Sequence, residues 1–382
     1  MIKKIIRIVS VLLLIFLVGS SVYYFSSSKK EKNKIKKHFL YKMGIYESDW
    51  STENSQTDLD HTTTFNSSSL LIDDIYTSME GPYTYKWFLL NENEDELYWI
   101  KKLNASVTSK FDSDSISNDF FCHANLYHSN TEHHMRLGLK DRISHQSESQ
   151  IITLTKGVLS VEFPEGFGYP IFSNEKIQIG GQAVNLNKDN EWFRVNFNFD
   201  LQYHKNKEKK LKPLFMKYVV MAFPYESFNS TYNNLPIKNM VLCAGPESDM
   251  RFKNEDEEGN GYTGFWQVPT GKHTYRNKIS KYLGLDKTKV AHYINAHVHP
   301  YATSFELRDM TSNTSLFKSI ITNSKEKKGI ENISEFSSIE GITFYPDHEY
   351  ELVLEVNNTT ENYIDMMGSM FIYFMIKNLM RN

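Results

Sequence analysis

The chain is poor in several things, and each shortage excludes a class. Two cysteines, Cys122 and Cys243, in 382 residues cannot build a disulfide scaffold. They could form one bridge, or one could hold a metal; both readings stay open. Gly (18) and Pro (10) are too sparse for collagen-like or low-complexity architecture. Basic residues are outnumbered by acidic ones after the N-terminus. Residues 1–37 hold nine Lys/Arg and one Glu, so the remainder of a chain of net charge −3 is acidic. An acidic body argues against nucleic acid as the main partner, because phosphate binding needs clustered positive charge. Helical signals are few, with Asn277–Leu283 read as a short helix.

Apolar and aromatic residues are plentiful. Hydrophobics make up 40% and aromatics 14%, enough for ordinary globular cores. The length suits about two domains. One long apolar run, Ile8 to Phe25, follows Lys3, Lys4 and Arg7. A membrane-spanning helix needs about 20 such residues. Val18-Gly19-Ser20 offers a leader-cleavage site, whereas Val22-Tyr23-Tyr24-Phe25 continues the run as an uncleaved anchor would. Residues 1–28 therefore read as a signal anchor or signal peptide. Six Lys between Lys29 and Lys37 oppose a simple orientation, since positive flanks favour the cytoplasmic side. Residues 29–70 read as a Lys-rich, polar linker.

From Leu71 onward, short runs alternate with period two. Phe193–Phe199, Tyr350–Val356 and Met370–Phe374 are examples, rich in aromatic and β-branched residues. The expected fold class is all-β: two consecutive antiparallel jelly-roll β-sandwich domains after the hydrophobic segment. Their expected bounds are 71–204 and 212–378, with Lys205–Lys212 as a junction or long hairpin loop.

Thirteen histidines carry most of the chemical information. His297-Val298-His299 is the sharpest group. On a strand, residues i and i+2 share a face, so both imidazoles can address one ion. Ile294, Ala296 and Val298 would then face a core. The bland reading is two ordinary strand histidines. A second group is Cys122-His123, followed by His128, His133 and His134. Adjacent strand residues face opposite ways, so Cys122 and His123 can share an ion only at a bulge or strand end. The bland reading is a buried Cys beside a satisfied His, with the later histidines in a solvated loop. Third, Asp365-Met366-Met367-Gly368-Ser369-Met370 contains thioethers. Met is usually core filler, but one thioether with two imidazoles favours Cu(I).

His297-Val298-His299, followed some 70 residues later by Asp365-Met366-Met367 and an aromatic-aliphatic strand, resembles the copper type II, ascorbate-dependent monooxygenases. These include peptidylglycine α-hydroxylating and dopamine β-monooxygenase, and the likeness extends to their bacterial relatives. Phe344-Tyr345-Pro346, Met79-Glu80-Gly81-Pro82 and Phe163–Gly168 add to it. The resemblance implies two jelly rolls with a copper on each, facing a solvent-filled cleft. It places one copper on His297, His299 and Met367. The family's other copper takes a His-His pair and a third His; here Cys122-His123 falls on the pair and Asn185 near the third. Around the second copper, the family's substrate-carboxylate positions read Asn295, Ser369 and Phe371, which argues against a glycine-extended peptide substrate.

The resemblance thus implies an extracytoplasmic, membrane-anchored, copper-dependent monooxygenase. It would hydroxylate a C–H bond of a small molecule with O2 and an external reductant, ascorbate in the family. The alternative is a non-catalytic copper-binding or partner-binding module of the same fold. A zinc hydrolase is weaker, because Met is unsuited to catalytic zinc. Glu255-Asp256-Glu257-Glu258 reads as a solvated loop, since no EF-hand pattern surrounds it.

Overall fold

The computed structural model describes residues 2–76, 81–109, 115–116, 118–143, 149–188, 191–224, 254–255 and 261–376. Cys243, Met79-Glu80 and Asp256-Glu257-Glu258 lie outside them.

The body is all-β, as the alternation predicts. In the first half, a sheet carrying Asp60–Asn66, Phe193–Lys205, Leu97–Ser109 and Phe167–Phe172 packs on a second one. That second sheet runs Tyr83–Phe88, Ile177–Ala183, Phe121–His128, Gln150–Thr155. In the second half, Lys212–Val220, Gly368–Met375, Lys289–Val298 and Phe336–Phe344 form one layer. Gly271–Lys278, Tyr350–Asn358, Ala302–Asp309, Thr314–Asn323 and Ile330–Ile333 form the other. Pairing among these strands is antiparallel within each half.

The two halves are not merely consecutive. Phe167–Phe172 pairs in parallel with Lys212–Val220, through Phe167↔Lys212 and Gly168↔Pro213. That short ladder joins the larger layers of both sandwiches into one twelve-stranded sheet. One hydrophobic core also crosses the junction, containing Leu103 and Phe197 from one half and Phe305 and Leu354 from the other. Phe163 meets Tyr293 and Tyr373 there, with ring centroids at 5.7 and 4.9 Å. Lys205–Lys212 is the loop that connects the strands on either side.

Residues 29–70 depart from the linker reading. Lys29–Lys42 is a helix, opened by a reciprocal Ser28/Glu31 capping box. Asn33 Nδ2 donates to Leu71 O and Asp73 Oδ1, each at 2.7 Å, and Lys36 pairs with Asp73 at 2.6 Å. Ser51–Thr57 and Asp60–Asn66 form a hairpin on the sheet edge. Polar composition hid it, yet His61, Thr63 and Phe65 alternate inward. The hydroxyls on both faces are satisfied: inward Thr63 Oγ1 donates to Asn54 and its neighbour Thr64 Oγ1 to Asp200.

The helix expected at Asn277–Leu283 is shorter, Ser280–Leu283, because Gly271–Lys278 is already strand. Gly284, at φ 55°, ends it in the left-handed region. At the N-terminus, Ile2–Ser26 is helical. Among the described residues its Lys4–Ser26 stretch is the helix long and apolar enough to cross a membrane.

Candidate metal centre between the two sandwiches

Lys289–Val298 is buried along nearly its whole length, sandwiched between its own layer's neighbours and the first half. Ile294, Ala296 and Val298 enter the core, as the alternation requires. His297 and His299 point the other way, with ring centroids 5.5 Å apart and planes at 79°. His299 Nδ1–H donates to the Asp365 carbonyl at 3.1 Å, which puts the imidazole lone pair on Nε2. Backbone contacts from the first half hold this strand. Thr155 Oγ1 donates to Ala296 O at 3.3 Å and Asn295 Nδ2 to Thr153 O at 3.1 Å.

His123 comes to the same place from the first sandwich. Gln182 pairs with His123, but Ala183 pairs with Phe121, so Cys122 is the extra residue of a β-bulge. This is the irregularity that lets neighbouring Cys and His side chains approach one region. His123 is buried, and its Nδ1 has no hydrogen-bond partner among the described residues. Burial, and after it the nearby His299, push the His123 pKa down to about 4. His297 is held well below the ordinary histidine range by burial, then by His299 and His123. His299 is lowered mainly by burial, against the opposing bond to Asp365. All three are therefore neutral imidazoles, the form that binds metals. Histidines from the two halves are thus close enough to influence one another.

A cavity of about 130 Å³ opens beside His297 and His299; Cys122 lines it and His123 does not. Its wall includes Tyr76, Cys122, Lys156, His297, His299 and Lys328. Lys156 Nζ donates to Asp119 O at 2.9 Å, and burial lowers its pKa. Cys122 also packs with Tyr76 and Val184 in a small apolar cluster.

Met367 is buried between the strands Ile364–Met366 and Gly368–Met375. The ladder between Lys289–Val298 and Gly368–Met375 ends at Val298 and Gly368, one residue before His299 and one after Met367. The cavity wall beside His299 comes from Ile364 and Asp365 rather than Met367. Asn185, the counterpart of the family's third histidine, is committed elsewhere. Its Oδ1 accepts from Lys188 N at 2.9 Å and its Nδ2 donates to Asp74 O at 3.2 Å. Asn295, Ser369 and Phe371 are all buried in packing, and Ser369 Oγ lies 3.1 Å from the Tyr218 hydroxyl.

The later histidines are not in a solvated loop. His128, His133 and His134 are all buried. Among the described residues they form the group of three whose ligand atoms all lie within 4.8 Å of one another. His123, His297 and His299 sit at wider spacing. The missed signal was the placement of His133-His134 five residues after a strand-end histidine, on a helix that turns straight back.

No model of a known protein family matches the chain. No curated protein matches it either. Among solved structures it is similar to PNGase F, a glycosylasparaginase from Flavobacterium meningosepticum. That match has a TM-score of 0.32 and 8% identity, and covers 86% of this chain and 97% of the other. The VP2 subviral particle of infectious bursal disease virus follows, with a TM-score of 0.19 and 8% identity over 86% and 74%.

Proposed function

We propose that the protein is a copper-dependent monooxygenase, anchored by its N-terminal helix with the body outside the cytoplasm. It hydroxylates a C–H bond of a small molecule, using O2 and two electrons from an external reductant such as ascorbate. The observation that supports this best is the cavity wall that brings Cys122 of one sandwich to His297 and His299 of the other, with His123 near enough to influence both histidines. The donor set fits copper: neutral imidazoles, a buried His123 Nδ1 with no partner among the described residues, and Cys122 as a softer donor on the same cavity wall as His297 and His299. His297 and His299, with Met367, hold the ion in this reading, and His123 approaches it from the first half. Copper bound there supplies the oxygen chemistry. The chain does the rest. Asp365 fixes the His299 ring through its carbonyl, burial keeps the ligands unprotonated, and Lys156 and Lys328 favour a substrate with an anionic group near the cavity mouth.

A second reading rests on Asn185. Because its polar atoms are spent on the backbone, the ligand set of the family's first copper is incomplete, which favours a copper-binding module without turnover. Copper analysis on the full chain in detergent separates them. His299→Ala and His123→Ala are each expected to lower copper content by one equivalent relative to wild type. O2 uptake with ascorbate would then favour the enzyme, and its absence the binding module. Unchanged copper content in both variants would remove both readings.

A further inference from the structure

The geometry points to a second metal site, separate from the inter-sandwich centre, that holds a divalent zinc-like ion on His128, His133 and His134. His128 ends the strand Phe121–His128. Ser129 turns the chain, and the helix Asn130–Arg136 brings His133 and His134 back over it. The rings of His128 and His133 lie 3.9 Å apart, and His134 stands edge-on to both at 5.2 Å.

Each imidazole engages a neighbouring oxygen through one nitrogen. His128 Nε2 bonds the Tyr169 hydroxyl at 2.7 Å. His133 Nδ1–H donates to Glu175 Oε2 at 2.9 Å. His134 Nδ1–H donates to the Asn130 carbonyl and side-chain oxygens, at 3.0 and 2.7 Å. The second nitrogens of His128 and His133, Nδ1 and Nε2, are buried with no hydrogen-bond partner among the described residues. A core built only for packing has no reason to bury two unmatched nitrogens next to each other. A metal accounts for both.

The supporting shell is of the kind that orients metal-bound histidines. A carboxylate, Glu175, holds one ring, and a hydroxyl and carbonyl hold the others. Glu175 is itself fixed by the Phe172 N–H at 3.1 Å. Only nitrogen donors face inward, so zinc or divalent copper suits the set, and calcium or magnesium does not. Arg142 Nε donates to His134 Nε2 at 3.4 Å, so the ion would displace that bond. The guanidinium keeps its bond to Met216 O at 3.1 Å and its place over Phe215.

The test loads the full chain, in detergent, with Zn2+ and then Co2+, followed by desalting and elemental analysis. His133→Gln is expected to lose one equivalent that His299→Gln retains. It should also lose the visible absorption of tetrahedral Co2+. Glu175→Gln keeps an oxygen for the His133 N–H, so the fold is preserved, and zinc affinity should fall about 10–100-fold. Equal zinc content in wild type and His133→Gln, or unchanged affinity in Glu175→Gln, would overturn the site. Should His133→Gln not fold, the Glu175→Gln affinity decides alone.

Discussion

Gly180 shows how tightly the wall that carries His123 is packed. A Cβ there would lie 2.7 Å from the Thr84 carbonyl and 2.7 Å from Tyr85 Cβ. Its strand, Ile177–Ala183, is paired on both sides and cannot move aside. Gly180→Ala is therefore expected to cost about 1–3 kcal/mol, read as a lower denaturation midpoint at unchanged slope. At this scale much of the candidate site was legible. The period-two spacing of His297 and His299 placed both rings on one face, and the core role of Ile294, Ala296 and Val298 followed with it. The bulge at Cys122 was not legible, because a one-residue insertion is defined by the partner strand and leaves no mark in its own sequence. Asn185 was likewise visible only as a substitution; its use as a backbone cap needed the turn at Lys188.

Among the elements, the helix Lys29–Lys42 is the one whose role changed most. Asp73 anchors it, taking bonds from Asn33, Lys36 and the Tyr76 hydroxyl. Burial raises the Asp73 carboxyl, but the bonds from Lys36, Tyr76 and Asn33 outweigh this and hold it below its ordinary value of 3.8. The sign follows: the docking stabilisation is complete above that value and is lost as pH falls below it through the depressed pKa. Acid should therefore release the helix. Trp192, whose ring lies 5.0 Å from Lys36 Nζ, reports the change by fluorescence, with Trp192→Phe as the blank. Asp73→Asn should weaken docking already at neutral pH, by about 1–3 kcal/mol. The six lysines masked this element. A run of like charge reads as a solvated tether, and the deciding residue is one asparagine whose partners lie about forty positions away.

Across the whole molecule, the shared core and the shared sheet make two sandwiches into one folding unit. Calorimetry on the protein without added metal is expected to give a single transition, its calorimetric and van't Hoff enthalpies equal. Two separated transitions would mean the junction is weaker than its packing indicates. All-β character and two strand-rich halves could be read from alternation and turn spacing. Their joining could not, because a parallel ladder of two residue pairs between Phe167–Phe172 and Lys212–Val220 has no local pattern to announce it.

That ladder also protects the chain from itself. Phe167-Gly168-Tyr169-Pro170-Ile171-Phe172 is short, nearly uncharged and aromatic, and an open edge of this kind recruits strands from other molecules. Lys212–Val220 covers the N-terminal end of that edge, and Pro170, without an N–H, interrupts the row of donors further along. During synthesis the first half waits with this edge exposed until the second arrives. The solubility of the first sandwich is thus supplied by the second, and a fragment ending in the Lys205–Lys212 loop would carry an aggregation hazard that the complete protein has closed.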